Sequence, residues 1–266
     1  MCKISIIMSV FNTPIPMLEK AVDSILEQTF DDFEFIIYND GSNNSNIKDY
    51  FNIKCKIDTR IKYYEDSINH GLAYGLNTCL KYSNGEYIAR MDSDDYCEKN
   101  RLEKQLKYLI DNNLDVVGCD MYYFDDECVW GQVCYNKLIN NRDFLFNSPM
   151  SHPTIIAKKE TFENVGGYCE DSYCLRNEDY DLFMRMQSKG FKLGNINEKL
   201  YYFREDSESS ARRKFKYRIN EYKVRKKGFK LLKLYPRGIL YLYKPIIIGM
   251  MPKWLYKKLK RKKGMK

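Results

Sequence analysis

Arg90-Met91-Asp92-Ser93-Asp94-Asp95 follows the apolar-leaning run Glu86-Tyr87-Ile88-Ala89 and stands a few residues ahead of a helical pattern. In an extended segment successive side chains point to opposite faces, so Asp92 and Asp94 are expected to converge while Ser93 turns away. Two carboxylates at a strand end suit a hard divalent cation, Mn2+ or Mg2+, which completes its shell with water and phosphate oxygens. This stretch therefore reads as a metal site that presents a diphosphate, with Arg90 either balancing the aspartates or meeting a phosphate. The competing reading is an Asp-rich loop that only caps the next helix.

Working outward, strands and helices alternate on both sides. Lys3 to Val10 is short, apolar and rich in β-branched residues, as a buried parallel strand should be. Phe11-Asn12-Thr13-Pro14 breaks it, and Pro16 opens a helix in which Met17, Leu18, Ala21, Val22, Ile25 and Leu26 recur at helical spacing. Glu34 to Tyr38 is a second strand running into the turn Asn39-Asp40-Gly41-Ser42, and a weaker helix lies near Ile47 to Phe51. Ile61 to Tyr64 reads as a third strand, and Asn69-His70-Gly71 opens a helix with Leu72, Leu76 and Leu80 on one side. Leu102, Leu106, Leu109 and Ile110 mark a helix, and Asp115 to Gly118 the next strand. This alternation predicts a doubly wound, mostly parallel α/β sheet, with ligands bound beyond the carboxyl ends of its strands. Phe11, Asp40 and the Asp92 cluster all follow strand ends, so they are placed to share one crevice. Asp40 is either a turn carboxylate bonded to its own backbone or an acceptor for a nucleobase N–H, with Phe11 offering a ring face for stacking.

The second half is less regular. Met121 to Tyr135 alternates aromatic and acidic residues, like an antiparallel excursion, and Ser151-His152-Pro153-Thr154 precedes a short strand, Ile155 to Ala157. Gly166-Gly167-Tyr168 is another break, and Glu178-Asp179-Tyr180-Asp181 starts a helix through Leu182, Phe183 and Met186. Acidic residues there offset the helix dipole, yet a carboxylate facing a crevice also serves as a general base. His152 has three candidate roles: loop structure, acceptor contact or third metal ligand. With only His70 and His152 in the chain, a histidine-rich zinc site is excluded. The phosphate-binding G-x-x-x-x-G-K-[ST], the nucleophile elbow G-x-S-x-G and a G-x-G-x-x-G after strand one are all absent. Nine scattered cysteines with no C-x-x-C, behind an N-terminus that enters a strand at once, predict reduced thiols in a cytoplasmic protein.

The net charge of +8 hides an asymmetry. Of 44 Lys and Arg, 21 fall after residue 211 against one acid, Glu221, so that stretch carries +20 and the remainder −12. Its apolar pieces, Ile239 to Tyr243 and Ile246 to Met251, are split by Lys244-Pro245 and fall short of the roughly 20 residues of a spanning helix. Tyr241, Tyr243, Trp254 and Tyr256 mixed with lysines predict a segment lying on an anionic membrane surface, with nucleic-acid binding and an idle solvated tail as the less favoured readings.

Taken in order, these stretches resemble the family-2 glycosyltransferases of GT-A fold, from about Lys3 to Arg204. Ile4 to Asn12 is similar to that family's opening strand, Glu34 to Ser42 to its second strand and D-D-G-S turn, Arg90 to Asp95 to its D-x-D metal motif, and Glu178 to Leu182 to its acidic motif at a helix start. Asn39 stands in place of the first Asp of D-D-G-S, and Ser9 where proline is frequent.

The resemblance implies a GT-A, Rossmann-like domain over 1–211, with a nucleotide-sugar half (1–120) and an acceptor half (121–211), and the charge pattern adds a basic amphipathic, helical tail over 212–266. It implies inverting transfer of a sugar from a nucleotide sugar, usually a UDP-sugar, with Mn2+ or Mg2+. Asp92 and Asp94 would hold the metal, and Asp179 would deprotonate the acceptor hydroxyl. Ser9, Phe11, Asp40, Asn69, Arg90, Asp92 and Ser93 would bind the donor, with His152 and Glu178 on the acceptor side. The lack of Q-x-x-R-W and of spanning helices points to one sugar per encounter, added to a glycan or lipid-linked acceptor at the inner face of the plasma membrane. The alternatives are a nucleotidyltransferase acting on a sugar phosphate and a non-catalytic basic membrane or nucleic-acid binder.

Overall fold

Residues 2–205 and 214–251 are described by the structure, a computed structural model. Strand β1 (Ile4–Val10) alternates between two cores, Ile4, Ile6, Met8 and Val10 entering one and Ile7 the other. Coverage on both faces is why its sequence is an unbroken apolar run. Strand β2 (Phe33–Asp40), buried throughout, pairs with it in parallel, and β3 (Ile61–Asp66) continues outward. Strand β4 (Tyr87–Arg90) pairs in parallel on the other side of β1. The order β3-β2-β1-β4 therefore reverses direction between β1 and β4, which puts the switch point beside the ends Val10 and Arg90.

Beyond β4 the ladder is mixed. Strand β8 (Ile156–Lys158) runs antiparallel to β4 and to β6 (Val116–Phe124), whereas β9 (Leu193–Arg204) is parallel to β6. Strand β5 (Tyr96–Cys97) pairs antiparallel with β9, and β7 (Val129–Val133) forms a hairpin on β6, the excursion expected from Met121 to Tyr135. The parallel arrangement thus holds from β3 to β4, while hairpin and return strands make the rest mixed.

Helices α1 (Ile15–Leu26), α2 (Ser45–Ile57) and α4 (Arg101–Asp111) cover one face. Helices α3 (Leu72–Tyr82), α5 (Lys159–Val165) and α6 (Glu178–Ser188) cover the other. The spacing of Leu18, Val22 and Ile25 puts all three under α1, each contributing about 1.5–3 kcal/mol by leaving water.

The expected boundary at residue 211 does not separate two packing units. Helix α7 (Phe215–Leu231) buries Val224, Arg225, Gly228 and Phe229 in the same core as α6. Arg225 donates to the carbonyls of Leu145 and Phe146 at 2.9 Å each and pairs with Glu221. A Cβ on Gly228 would lie 2.1 Å from Met184 Sδ, so the methionine side chain occupies the space that glycine leaves between the two helices. Charge counting saw the outward lysines of α7 and not its inner seam. Two short helices, α8 (Ile239–Leu242) and α9 (Lys244–Met250), follow and leave Leu240 82% and Met250 75% exposed. Among the described residues no helix is long and apolar enough to cross a membrane. The expectations for Ser207 to Ser210, Arg212, Arg213, Trp254, Tyr256 and the lysine-rich 257–263 lie outside the described residues.

Candidate active site

Strand β4 ends at Arg90, and Ser93 and Asp94 form a turn. The two-residue alternation expected to bring Asp92 and Asp94 together therefore stops before reaching them, because turn chemistry outweighs strand propagation in this polar run. Asp92 instead faces inward, its Oδ1 2.5 Å from Arg90 Nη2, and Asp94 is exposed at the turn. Arg90 is 2% exposed, and its Nε and Nη1 are buried without a hydrogen-bond partner. Burial opposes its charge, but the Asp92 carboxylate outweighs that, so the pKa is raised and the guanidinium stays protonated.

Asp95, which reads from sequence as a helix cap, is buried and accepts from the Arg204 backbone N–H at 2.7 Å, while its Oδ2 has no partner. Burial, then the charges of Asp94 and Asp92, hold its carboxyl well above the usual range. The cluster thus offers only oxygen donors and a surplus of negative charge. A donor set of that kind is what a hard divalent cation takes.

Side chains tie the strand-end loops into one rim. Asn12, at φ 52°, accepts from the Asn43 N–H and donates its own N–H to Ser42 Oγ, both at 2.9 Å. The hydroxyls of Thr13 and Ser93 share a hydrogen bond at 2.7 Å, joining the β1 loop to the aspartate turn. Phe11, 48% exposed, stands on this rim with its ring accessible.

Asp40 departs from the expected base contact. It is 1% exposed, and its carboxylate accepts from the N–H groups of His70 (2.9 Å) and Gly71 (2.7 Å) and from Asn69 Nδ2 (3.1 Å). It anchors the entry to α3, leaving the β2 end to offer backbone and neighbouring groups. Gly41, at φ 70°, is required there, since a Cβ would sit 2.5 Å from the Asn69 backbone nitrogen. Asn69 is committed to the same anchor. Ser9 lies against α3, where a Cβ on Gly75 would come within 2.3 Å of its Oγ.

Asp179 occupies the first turn of α6, half-buried. Burial, then the neighbouring Glu178 charge, pushes its carboxyl up to about 6, against the pull of the Tyr180 N–H and Arg90. Such a group is ionised at neutral pH and still basic enough to take a proton from a hydroxyl in a transition state. Glu178 is 6% exposed and accepts from the Arg176 N–H at 2.9 Å, so it helps build the helix start.

His152 is structural. Its Nε2 is 2.9 Å from the Tyr168 hydroxyl and its ring packs edge-on to Phe183. Burial first, then Arg90, holds its pKa well below the ordinary value, leaving a neutral imidazole.

Several site residues lie outside every motif read from the sequence. Tyr168 is buried at the centre of the site: burial raises its pKa, and Arg90, Asp179 and Asp92 all act on its hydroxyl. The Tyr201 hydroxyl accepts from the Asp92 N–H at 3.2 Å. Arg101, fully buried, donates to the carbonyls of Arg90 (2.8 Å) and Pro153 (3.3 Å) and to Gln105 (3.0 Å), joining the β4 end to the His152 turn. The available clue was Arg101 and Gln105, four apart, on the same helix side as Leu102, Leu106 and Leu109. A cavity of about 560 Å³ between Asn141–Leu145 and Leu232–Arg237 contains none of these groups. The strand-order reversal, and not cavity size, locates the site.

A half-parallel sheet with a carboxylate turn at its switch point and a basic carboxylate on a facing helix defines a GT-A-type transferase. Residues 5–170 match the family described as Glycosyl transferase family 2. The chain belongs to that family and is a glycosyltransferase. It is 32% identical over 264 residues to the putative glycosyltransferase EpsE of Bacillus subtilis, covering 99% of this chain and 95% of that one. It is 31% identical to the O-antigen biosynthesis glycosyltransferase WbnJ of Escherichia coli, covering 79% and 82%. In fold it is similar to S. aureus TarS 1-349 in complex with UDP-GlcNAc (TM-score 0.69, 16% identity, 91% of this chain and 73% of that one). It is likewise similar to the mannosyltransferase PcManGT of Pyrobaculum calidifontis in complex with GDP-Man and Mn2+ (TM-score 0.66, 16% identity, 97% and 79%).

Proposed function

We propose that the protein transfers a single sugar, with inversion, from a nucleotide sugar to a hydroxyl of a lipid-linked glycan in surface-polysaccharide synthesis. The observation that carries this reading is Asp179: a half-buried carboxylate at a helix start, with its pKa raised to about 6, in the field of Arg90. On this reading the base stacks near Phe11, the diphosphate lies over the aspartate turn, and the buried Arg90 guanidinium beside Asp92 adds positive charge beneath it. Asp94 and Asp92 would hold Mn2+ or Mg2+, which offsets negative charge on the departing diphosphate when bound. Asp179 takes the acceptor hydroxyl's proton as that oxygen attacks the anomeric carbon, and attack from the face opposite the leaving group gives inversion. A UDP-sugar is the favoured donor by resemblance; of the similar folds, TarS is seen with UDP-GlcNAc and PcManGT with GDP-Man.

For the acceptor side, Leu240, Tyr243, Ile247 and Met250 are exposed on helices flanked by lysines, a composition suited to an anionic bilayer surface. The enzyme would thus work peripherally at the inner membrane face, where a lipid-linked acceptor lies. A thermal-shift panel of nucleotide sugars with and without Mn2+ tests the donor assignment. A metal-dependent rise with one sugar nucleotide is expected, because a ligand of the native state raises its stability. No metal-dependent shift with any of them would overturn it.

A further inference from the structure

We infer that Cys169 and Cys174 are a dithiol built to form a reversible intramolecular disulfide with a low-molecular-weight disulfide such as oxidised glutathione. This goes beyond the transfer reaction and does not depend on it. Both residues are thiols in the structure, yet their sulfurs stand 2.7 Å apart, far inside ordinary non-bonded contact. Of the nine cysteines, Cys79, Cys97 and Cys119 are buried with their sulfurs turned to backbone or side-chain groups of the core. Cys169 and Cys174 differ in lying on one surface-facing loop, 166–177, with one partly accessible and one buried.

That division suits a two-step exchange. The Cys169 thiolate attacks one sulfur of the small disulfide, and the displaced thiolate leaves and takes up a proton. The Cys174 sulfur, giving its proton to water, then attacks the mixed disulfide at Cys169 and releases the second small thiol. Two thiols are oxidised and one disulfide is reduced to two thiols. Cys174 needs no solvent access, because its target is delivered by its neighbour. Burial raises the pKa of Cys174, consistent with its acting second.

A soft metal is the competing occupant, since both sulfurs and an Asp181 oxygen lie within 4.8 Å of one another. Two thiolates on one zinc stand roughly 3.8 Å apart for Zn–S bonds of about 2.3 Å in a tetrahedron. The observed separation is too short for that, and the Asp181 carboxylate already accepts from Arg185 Nε at 2.6 Å.

The loop matters because both its ends enter the active site. Tyr168, next to Cys169, bonds His152, and its N–H and carbonyl are held by Asn77. The Cys174 carbonyl accepts from the Asn177 N–H at 2.7 Å, and the Asn177 carbonyl accepts from Asp181, within the turn of helix that carries Asp179. Closing the disulfide fixes the spacing between these ends.

The test uses the full-length protein equilibrated with oxidised and reduced glutathione in varied ratio, then alkylated and digested with trypsin. Cleavage after Lys159 and Arg176 places both cysteines, and no others, in one peptide. That peptide is expected to lose two hydrogens at ratios that leave the other cysteines alkylated, and to recover them with dithiothreitol. Cys174→Ser should instead trap glutathione on Cys169. A peptide that stays fully alkylated, stable glutathione on Cys169 in the unaltered protein, or stoichiometric zinc that protects both thiols and is released only by chelator would each overturn the inference.

Discussion

Replacing Asp179 with asparagine should make the protein more stable and nearly inactive, and the gain should depend on pH. The carboxyl is raised from an ordinary value of 3.8 to about 6, burial being the main cause. A raised carboxyl pKa means that the folded state resists ionisation. Below about pH 4 both states hold the proton and nothing is lost. Above about pH 6 both are ionised and the full penalty applies, about 3 kcal/mol for a shift of some two units. Because Asp179 is only half-buried, solvent screening reduces this to about 1–2 kcal/mol. At roughly 2 °C per kcal/mol for a chain of this size, Asp179→Asn should melt about 2–4 °C higher at pH 7.5 and unchanged at pH 4. Metal-free protein is the right sample, monitored by circular dichroism across pH. Hydrolysis of the nucleotide sugar, read as released nucleoside diphosphate, should fall about 100-fold or more in the variant while donor affinity holds, and the wild-type rate should rise with pH through a midpoint near 6. An asparagine variant no more stable at pH 7.5, or equally stabilised at pH 4, would refute the account of the strained carboxylate. Near-normal turnover would remove Asp179 as the base.

Asp94→Ala should abolish the metal-dependent part of nucleotide-diphosphate affinity in calorimetry with Mn2+ and with chelator; affinity equally metal-dependent in both proteins would move the metal elsewhere. Glu34 is held down to about 2: burial pushes it up, but hydrogen bonds from Lys62, Ser5 and Asn84 outweigh that. Its stabilisation is present above about pH 4.5 and lost as pH falls through about 2, so Glu34→Gln should cost about 2–3 kcal/mol in urea at pH 7 and progressively less toward pH 2. Arg101→Met should cost about 2–4 kcal/mol by orphaning the carbonyls of Arg90 and Pro153, with an unchanged urea midpoint counting against its structural role. Replacing Leu240, Ile247 and Met250 together by serine should weaken sedimentation with anionic vesicles without lowering the melting temperature, and undiminished sedimentation would exclude this face as the membrane contact.

The parts legible in sequence were those governed by local periodicity. The four parallel strands, the helices between them and the acidic start of α6 each announce themselves within a dozen residues. Side-chain commitments were not legible, because they depend on partners far along the chain. Asp40 looks like a ligand carboxylate until His70 and Gly71, 30 residues on, take its oxygens. Asp92 and Asp94 look equivalent until the chain turns at Ser93 and a buried guanidinium selects one of them. Tyr168 and Arg101 could not be singled out, since a tyrosine after two glycines and an arginine in a first helical turn are ordinary at the surface. The same limit made α7 read as part of a basic, membrane-associating tail: its burial rests on Met184, Leu145 and Phe146, which no charge count contains.

The packing of α7 against α6 also dictates an order of events during synthesis. Among the described residues, the core beneath α1, α2 and α4 draws on none beyond 203, so it can close while the rest of the chain is still emerging. The core around α6 cannot, since it needs Val224, Phe229 and Leu242. The helix carrying Asp179 therefore waits, apolar side uncovered, for a strongly cationic segment made some 30 residues later. In a nascent chain, the sheet face under α1, α2 and α4 can be covered before the face that carries the proton-accepting helix is completed.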